Sequence, residues 1–550
     1  MKKFVYTIAL LATTGLQAQV LNVNNNDGTF LPIETADTRE ITFDETRKTV
    51  TFILDGGIQH SFHTGKVESL SPRTDKSEQL TYNLDPTVAF DDNDKNNFNE
   101  IVETIPTTET TDNDYGDFVE KFSIGKVINI SFSDNDVTVS GNIPYTKNGA
   151  HLTINSADSK VGYIVSGKSA NGSLKIYSEK KFQLMLSGLD LTNPTGPAIN
   201  IQTGKTVYFT IDDNTTNNLC DGATYNAPAT ADEDQKGTLF SEGQLIFNGY
   251  EDGSGILNVT SYGGHAICSD DYIRVRSGNI NILKAAKDGF HTNDKFIVGR
   301  TAAASPKITV NAENDGIDCG KGEVIIDAGI IELTTGGEAI KVEYEEADPD
   351  PAVTPNATIN GGYIEFTTTG EKSSGIKTTG TYKQTGGVIH GTVKGDGSKI
   401  LNCDSNITFT GGKLIGKSEG TVFDGATLAG GIKCEGTFTI ENGIIAIECS
   451  GEGAKGVNTE NTTVKGGEMT ILSTGGNHAG TTESNESIAV DTGNLTVTNG
   501  VLKFKAYDNA ITATKLSLYK GTLHAISETG AAIDAAVTQS GGWIMTKENE

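Results

Sequence analysis

An all-β solenoid, a single-stranded parallel β-helix with three short strands per coil, is the fold class the sequence predicts, and three observations predict it. A Gly-centred turn returns every 21 to 33 residues between Gly329 and Gly542, each time two residues ahead of a large aliphatic side chain such as Ile331, Ile364, Ile389, Leu414, Ile445, Leu502 and Ile544. Self-similarity at that period is the signature of a solenoid. Ahead of the turns, apolar residues alternate with period two, as in Ile273/Val275, Val324/Ile326, Ile407/Phe409 and Leu495/Val497. That is strand spacing, in segments too short and too rich in Thr, Val and Ile for helices. A third apolar series, in units such as Ala266-Ile267, Gly289-Phe290, Gly316-Ile317, Ala339-Ile340 and Ala510-Ile511, follows each turn. Three strands per coil stack coil on coil, about 4.8 Å apart, with like residues over like. The 65 Gly of the 550-residue chain suit its corners, where backbone must take positive φ. The coil is expected to begin near Tyr145, where the strand-like blocks "HLTINS", "GYIVSG", "KIYS" and "TVYFTIDD" crowd together.

The elements before the coil follow in order. Residues 1–18 have the plan of a secretory signal, with Lys2 and Lys3, an apolar run from Phe4 to Leu16 and cleavage near Ala18. The run is too short to span a bilayer, so an exported chain with no transmembrane segment in its mature form is expected. Residues 19–75 read as a small N-terminal β domain, 76–117 as an acidic linker and 118–550 as the β-helix. Within the linker Asp92, Asp94, Asn96 and Glu103 have the spacing of a calcium loop. Asn97 stands where such a loop needs Gly, and Pro106 comes too soon for an exit helix, so the segment is read as solvated.

The net charge of −28 excludes nucleic acid, which requires clustered Lys and Arg, and suits solubility outside a cell or a calcium-binding surface. Six cysteines, Cys220, Cys268, Cys319, Cys403, Cys434 and Cys449, show no zinc spacing. Export permits disulfides, while packing within the coils as small apolar residues is the preferred reading.

Chemistry concentrates between His265 and Glu343. Aligning "HAICSDD", "DGFHTND", "DGIDCGK" and "EAIKVEY" stacks His265, Asp288, Asp315 and Glu338 in one column. A second column stacks Cys268, His291, Asp318 and Lys341, and Asp270 and Asp271 lie over Asn293 and Asp294. Carboxylates one strand spacing apart repel unless they bind a cation or a proton. Converging oxygens suit calcium, which takes six to eight of them. Asp270, Asp271, Asp288, Asn293, Asp294, Asp315, Asp318 and Glu338 are therefore the candidate metal ligands. The competing reading makes the Asp-Gly pairs ordinary corners in which Asp caps the turn. The loop "EYEEADPDP", Glu343 to Pro351, reads as a solvated acidic loop or a second cation site.

From about Asp117 the chain resembles the secreted carbohydrate-binding domain proteins with a right-handed parallel β-helix, relatives of pectate lyases in fold, of which a polygalacturonate-binding, calcium-containing member is the reference. The resemblance is carried by "YIVSGKSANGSLKIYS", "LMLSGLDLTNPTGPAINIQTGKTVYFTIDDNTTNNLCDGATY", "LFSEGQLIFNG", "HAICSDDYIRVRSGNINILKAAKDGFHTNDKFIV" and "NDGIDCGKGEVIIDAGIIEL". It implies a non-catalytic, calcium-assisted binder of acidic plant polysaccharide, with acidic residues around Asp270, Asp271, Asp288, Asp294, Asp315 and Asp318. The first 75 residues lie outside it.

Three function classes remain in play. Neutral-glycan binders present aromatic platforms, and this chain has one Trp, Trp543, so an ionic mode in which calcium bridges an acidic surface to a polyuronate is the better fit. A pectate-lyase-like enzyme needs a base, for which Arg274, Arg276, Lys284 and Lys287 are available. Arg274, between the inward Ile273 and Val275, is read as an outward, solvated side chain. An adhesive rod with no glycan ligand is the third class. The reading adopted is an exported, monomeric, calcium-assisted carbohydrate binder.

Overall fold

The computed structural model describes residues 20–25, 30–34, 38–46, 48–73, 86–110, 115–344, 353–479 and 484–548. The export segment and most of the Glu343 to Pro351 loop lie outside the described residues.

The chain is all-β and dominated by one long system of parallel strands. In its middle it passes in turn through three ladders, each strand pairing in parallel with the strand three later. Gly237–Ser241, His265–Ser269, Phe290–Thr292, Ile317–Cys319 and Ile340–Val342 belong to the first ladder. Leu245–Gly249, Tyr272–Val275, Lys295–Val298 and Glu323–Ile326 belong to the second. Ile256–Thr260, Asn279–Ala285, Lys307–Ala312, Ile330–Thr335 and Tyr363–Thr368 belong to the third. From Gly430–Ile440 onward the first two ladders fuse, and single strands such as Lys455–Val464 and Ile488–Val497 run through both. Parallel pairing begins at Lys126–Ser133, earlier than the expected Tyr145.

The alternation read from the sequence is what fills the centre. Ile280, Ile308, Ile331, Ile364, Ile389, Leu414, Ile445, Met469, Leu502, Leu523 and Ile544 stack in register along the third ladder, all buried. Each fully buried aliphatic of this size contributes about 1.5–3 kcal/mol of transfer free energy, so the column is a major stabilising feature. The coil at Lys307 carries no Gly at its corner; Ser305 and Pro306 turn the chain there, which is why the Gly period skips it. Among the described residues all six cysteines are free thiols, five of them buried within the strands.

The N-terminal unit consists of two small antiparallel sheets. One orders Phe30–Glu34, Val20–Asn25 and Val67–Arg73, and the other orders Thr38–Asp44, Thr49–Leu54 and Gln59–His63. Their facing sides bury Val23, Ile33, Val50, Phe52 and Phe62. Gln59–His63 then pairs antiparallel with Trp543–Lys547, the last strand of the third ladder. The unit so covers an edge that would otherwise offer unpaired backbone groups.

The segment after it is a correction to the sequence reading. Residues 86–110 and 115–122 are not a solvated linker: they run back along the outside of the coil, from its late strands to its early ones. Val88 packs on Ile415 and Leu472, and Phe90 stacks on His390. The Ile101 amide donates to Asp327, the Glu103 amide donates to Arg300, and Phe122 meets Tyr208. The residues with calcium-loop spacing do other work. Asp94 is buried between His390 Nε2 at 3.1 Å and Lys413 Nζ at 2.6 Å. Glu103 joins Arg274 and Arg276.

Candidate functional site

The register stacks the candidate residues as the sequence alignment placed them: Cys268, His291, Asp318 and Lys341 are consecutive partners in the first ladder. The corner residues Asp288, Asp315 and Glu338 precede these strands, linked coil to coil by the Gly289 amide donating to Asp315 and the Gly316 amide donating to Glu338.

Three of the eight candidates come together. Asp288, Asp315 and Asp318 each bring a carboxylate oxygen within 4.8 Å of the others, and all three are buried. Asp288 also forms a group with His265 and His291, whose rings stack with centroids 4.4 Å apart. His291 Nδ1 stands 3.0 Å from Asp318 Oδ2 and 3.4 Å from Asp288 Oδ2. His265 Nδ1 lies 2.9 Å from Asp288 Oδ2 without the alignment of a hydrogen bond.

The corner reading of these aspartates is also met. Asp288 Oδ1 accepts from the Asp315 amide at 3.1 Å and from Asn314 Nδ2 at 2.6 Å, and Asp315 Oδ1 accepts from the Glu338 amide at 2.7 Å. Each corner carboxylate thus ties the next coil's backbone. One oxygen is left over: Asp318 Oδ1 is buried with no hydrogen-bond donor, and Lys341 Nζ is 3.6 Å away.

The charges push one another apart in proton affinity. Burial, then the Glu338, Asp288 and Asp318 carboxylates, raise Asp315 to about 8. Burial opposes the charge of His291, but Asp288 and Asp318 outweigh it and raise this imidazole to about 9. For Asp288 burial is likewise outweighed, here by His265 and His291, and the carboxyl is held below its ordinary range. Burial keeps His265 low.

Glu338 stays at its corner beside Asp315, and the other four candidates, Asp270, Asp271, Asn293 and Asp294, form a neighbouring, more open group. Asp270 binds Lys236 at 2.6 Å, Gln244 donates to Asp271, and Asn293 Nδ2 donates to the Asp270 carbonyl. Burial and the nearby Asp294 raise Asp271 to about 6. Asp294 is exposed.

The arginines offered as lyase bases are engaged elsewhere. Arg274 and Arg276 are buried, not solvated, because the returning segment covers them. Arg274 meets Glu103 and Asp117, Arg276 meets Glu103 and Glu120, and the Phe118 ring lies over both guanidiniums. Lys284 pairs with Glu313 at 2.7 Å.

A second feature escaped the sequence reading. A cleft of about 630 Å³ near the start of the coil is lined by Lys121, Lys160, Lys180, Lys181 and Lys205, all exposed. Among the described residues Lys160, Lys180, Lys181 and Lys205 form no ion pair. They come together because "KVGY", "KKFQ" and "GKTV" each place Lys at the corner before strands that pair in register, Val161–Ser169, Phe182–Asn193 and Val207–Ile211. The recurring Lys and the stacking of these coils were both legible; that the lysines fall at matching corners on one face was not read from them.

A long parallel-strand coil bearing a buried carboxylate cluster and a basic cleft is an extended binding scaffold. The model of the family of carbohydrate-binding domain-containing proteins matches residues 148–425, about half of the chain, and the chain belongs to that family. Among solved structures, that of the polysaccharide lyase-like protein from C. thermocellum, a gadolinium derivative, is similar at 20% identity and a TM-score of 0.34, over 54% of this chain and 95% of that one. No curated protein matches. No helix among the described residues is long and apolar enough to cross a membrane.

Proposed function

We propose that this carbohydrate-binding protein is exported, binds acidic polysaccharide of the polygalacturonate type without cleaving it, and is a right-handed parallel β-helix. The observation that carries the ligand is the basic cleft: five lysines line one surface of a chain whose net charge is −28. Lysines repeated coil by coil, about 4.8 Å apart, present a row of ammonium groups that matches the regular carboxylates of a linear polyuronate. Handedness follows from the general preference of parallel crossovers.

Calcium belongs to this reading as a structural ion. Asp288, Asp315 and Asp318 would hold it, and the undonated Asp318 Oδ1 is the observation that fits them to a hard cation. When bound, it supplies positive charge that relieves the repulsion among three buried carboxylates. A bridging role is not supported, because the trio is buried and the lysine cleft supplies the ligand's countercharge directly. The burial of Arg274 and Arg276 in ion pairs favours a binder over a lyase that would use either as its base.

Affinity electrophoresis in polygalacturonate gels, with calcium and with EDTA, tests this together with absorbance of unsaturated uronides. Retardation without product is expected, weakened at least tenfold by Lys181→Glu with Lys205→Glu. Asp318→Asn should remove the part of thermal stability that calcium adds. Rising absorbance would convert the protein to a lyase, and retardation indifferent to the lysines would remove the cleft from the reading.

A further inference from the structure

A groove of about 1200 Å³ lies several coils away from the lysine cleft and has no part in the function proposed above. It runs along the Gly corners, from Phe98 and Asn99 of the returning segment to Phe62 and Lys66 of the N-terminal unit. Its floor is backbone, formed by Gly387, Gly412, Gly443, Gly467, Gly500, Gly521 and Gly542. One column of the third ladder follows these glycines in strict register, Val388, Lys413, Ile444, Glu468, Val501, Thr522 and Trp543, with Val388 buried at its head.

That column alternates apolar and polar, coil by coil, over its whole length. Like residues therefore recur every second coil, at about 9.6 Å, and the column spans about 29 Å. An unbranched β-1,4-linked polysaccharide has the same alternation, because each sugar ring is turned over relative to its neighbours and the repeat is a disaccharide close to that length. The exposed members are unusual for solvent-facing strand positions: Ile444 is 37% and Val501 36% exposed, and Tyr519 beside them is 51% exposed. The apolar patches at Ile444 and Val501, separated by polar side chains and flanked by the Tyr519 ring, suit sugar-ring faces separated by hydroxyls. Asn442 and Asn499, both exposed at the corners, add amide donors and acceptors. Trp543, the single Trp of the chain, lines the far end, stacked on His60. Lysines in the groove are balanced in part by Glu468, and Lys413 is already bound to Asp94 at 2.6 Å. The charge is too small for a polyanion and compatible with a neutral chain.

The geometry points to a second glycan site: a groove that binds a linear, neutral β-1,4-linked polysaccharide along the Gly corners, one sugar per coil. It rests on family membership and the register, not on the lysine cleft. Trp543 is the chain's own reporter, so titration of the full-length protein with cellohexaose, followed by tryptophan emission and calorimetry, tests it. Saturable change is expected, with the midpoint raised at least tenfold by Val501→Arg and by Tyr519→Ala, both outward-facing. Lys181→Glu with Lys205→Glu should leave it unmoved, and Val501→Arg should leave polygalacturonate retardation unmoved, which also shows that the variant folds. No emission change and no heat with cellohexaose would overturn the site. So would binding indifferent to both groove variants. Emission changes from hexagalacturonate that Val501→Arg abolishes would overturn the neutral ligand.

Discussion

At the scale of single residues, the Gly corners combine two demands that substitution separates. Gly521 has φ +93°, and a Cβ added there would stand 2.4 Å from the Gly500 carbonyl oxygen one coil back. Gly188 has φ +75° with nothing within 4 Å of an added Cβ. Gly188→Ala is expected to cost about 1–2 kcal/mol, the strain of the left-handed region alone. Gly521→Ala should cost clearly more, because backbone in the stacked coil must also move. Urea midpoints of the two variants against wild type check the difference. A buried charge makes the second residue-scale case. Arg276 is 1% exposed, and its loss leaves the Glu103 carboxylate to Arg274 alone and takes a donor from the Asn248 side-chain oxygen. Arg276→Ala is expected to cost about 1.5–3 kcal/mol. Hydrogen exchange should show that loss in residues 100–122 while the late coils keep their protection. The positive φ of these glycines was readable from the sequence because the fold demands it of no other residue so cheaply. The burial of Arg274 and Arg276 was not, since period-two alternation tells which face a side chain takes and nothing of what covers that face.

At the scale of elements, the join between the N-terminal unit and the last coil has a pH dependence of definite sign. Burial, then the charge of His524, lowers His60 to about 4, and burial, then Lys503, lowers His524 to about 4. His60 accepts from Trp543 Nε1 at 3.1 Å, and His524 meets the same indole edge to face. The docked state therefore holds both imidazoles neutral, whereas an undocked His takes its proton at about 6.5. Docking is fully stable above that pH and weakens as pH falls from 6.5 toward 4, by up to about 3 kcal/mol for His60. A loss of Trp543 indole packing, seen as a red shift of emission between those pH values and absent in His60→Gln, is the expected outcome. The N-terminal unit itself was legible as a separate β element. Its seat on the far end of the coil was not, because pairing between strands hundreds of residues apart leaves no local pattern. The same limit hid the course of residues 86–110 and 115–122, whose acidic composition suits a solvated strand and equally a row of partners for Arg274, Arg276, Arg300 and Lys413.

At the scale of the whole molecule, the coil period, the three-strand pattern and the stacked acidic columns were all present in the spacing of apolar and Asp-Gly units. The sequence placed Asp288, Asp315 and Asp318 in adjacent coils because register in a stacked coil is set by that same spacing. It did not separate them from Asp270, Asp271, Asn293 and Asp294, which the next corner turns aside. A salt series extends the function test to this scale: polygalacturonate retardation should weaken steeply with ionic strength, as screening acts on exposed lysines, while cellohexaose binding should not. One architectural fact bears on how the molecule is made. Gln59–His63 completes its sheet with Trp543–Lys547, so a strand is paired with a neighbour synthesised hundreds of residues later. Each coil can stack on its predecessor as soon as it emerges, but among the described strand pairings this closure has the highest sequence separation and waits for the later strand. Until then the growing stack has an open lower edge and the early unit an open side. The coil and the N-terminal unit therefore join as a clasp shuts, and a deletion of Trp543–Lys547 should leave the early unit, hundreds of residues distant, as the part most prone to pair with another molecule.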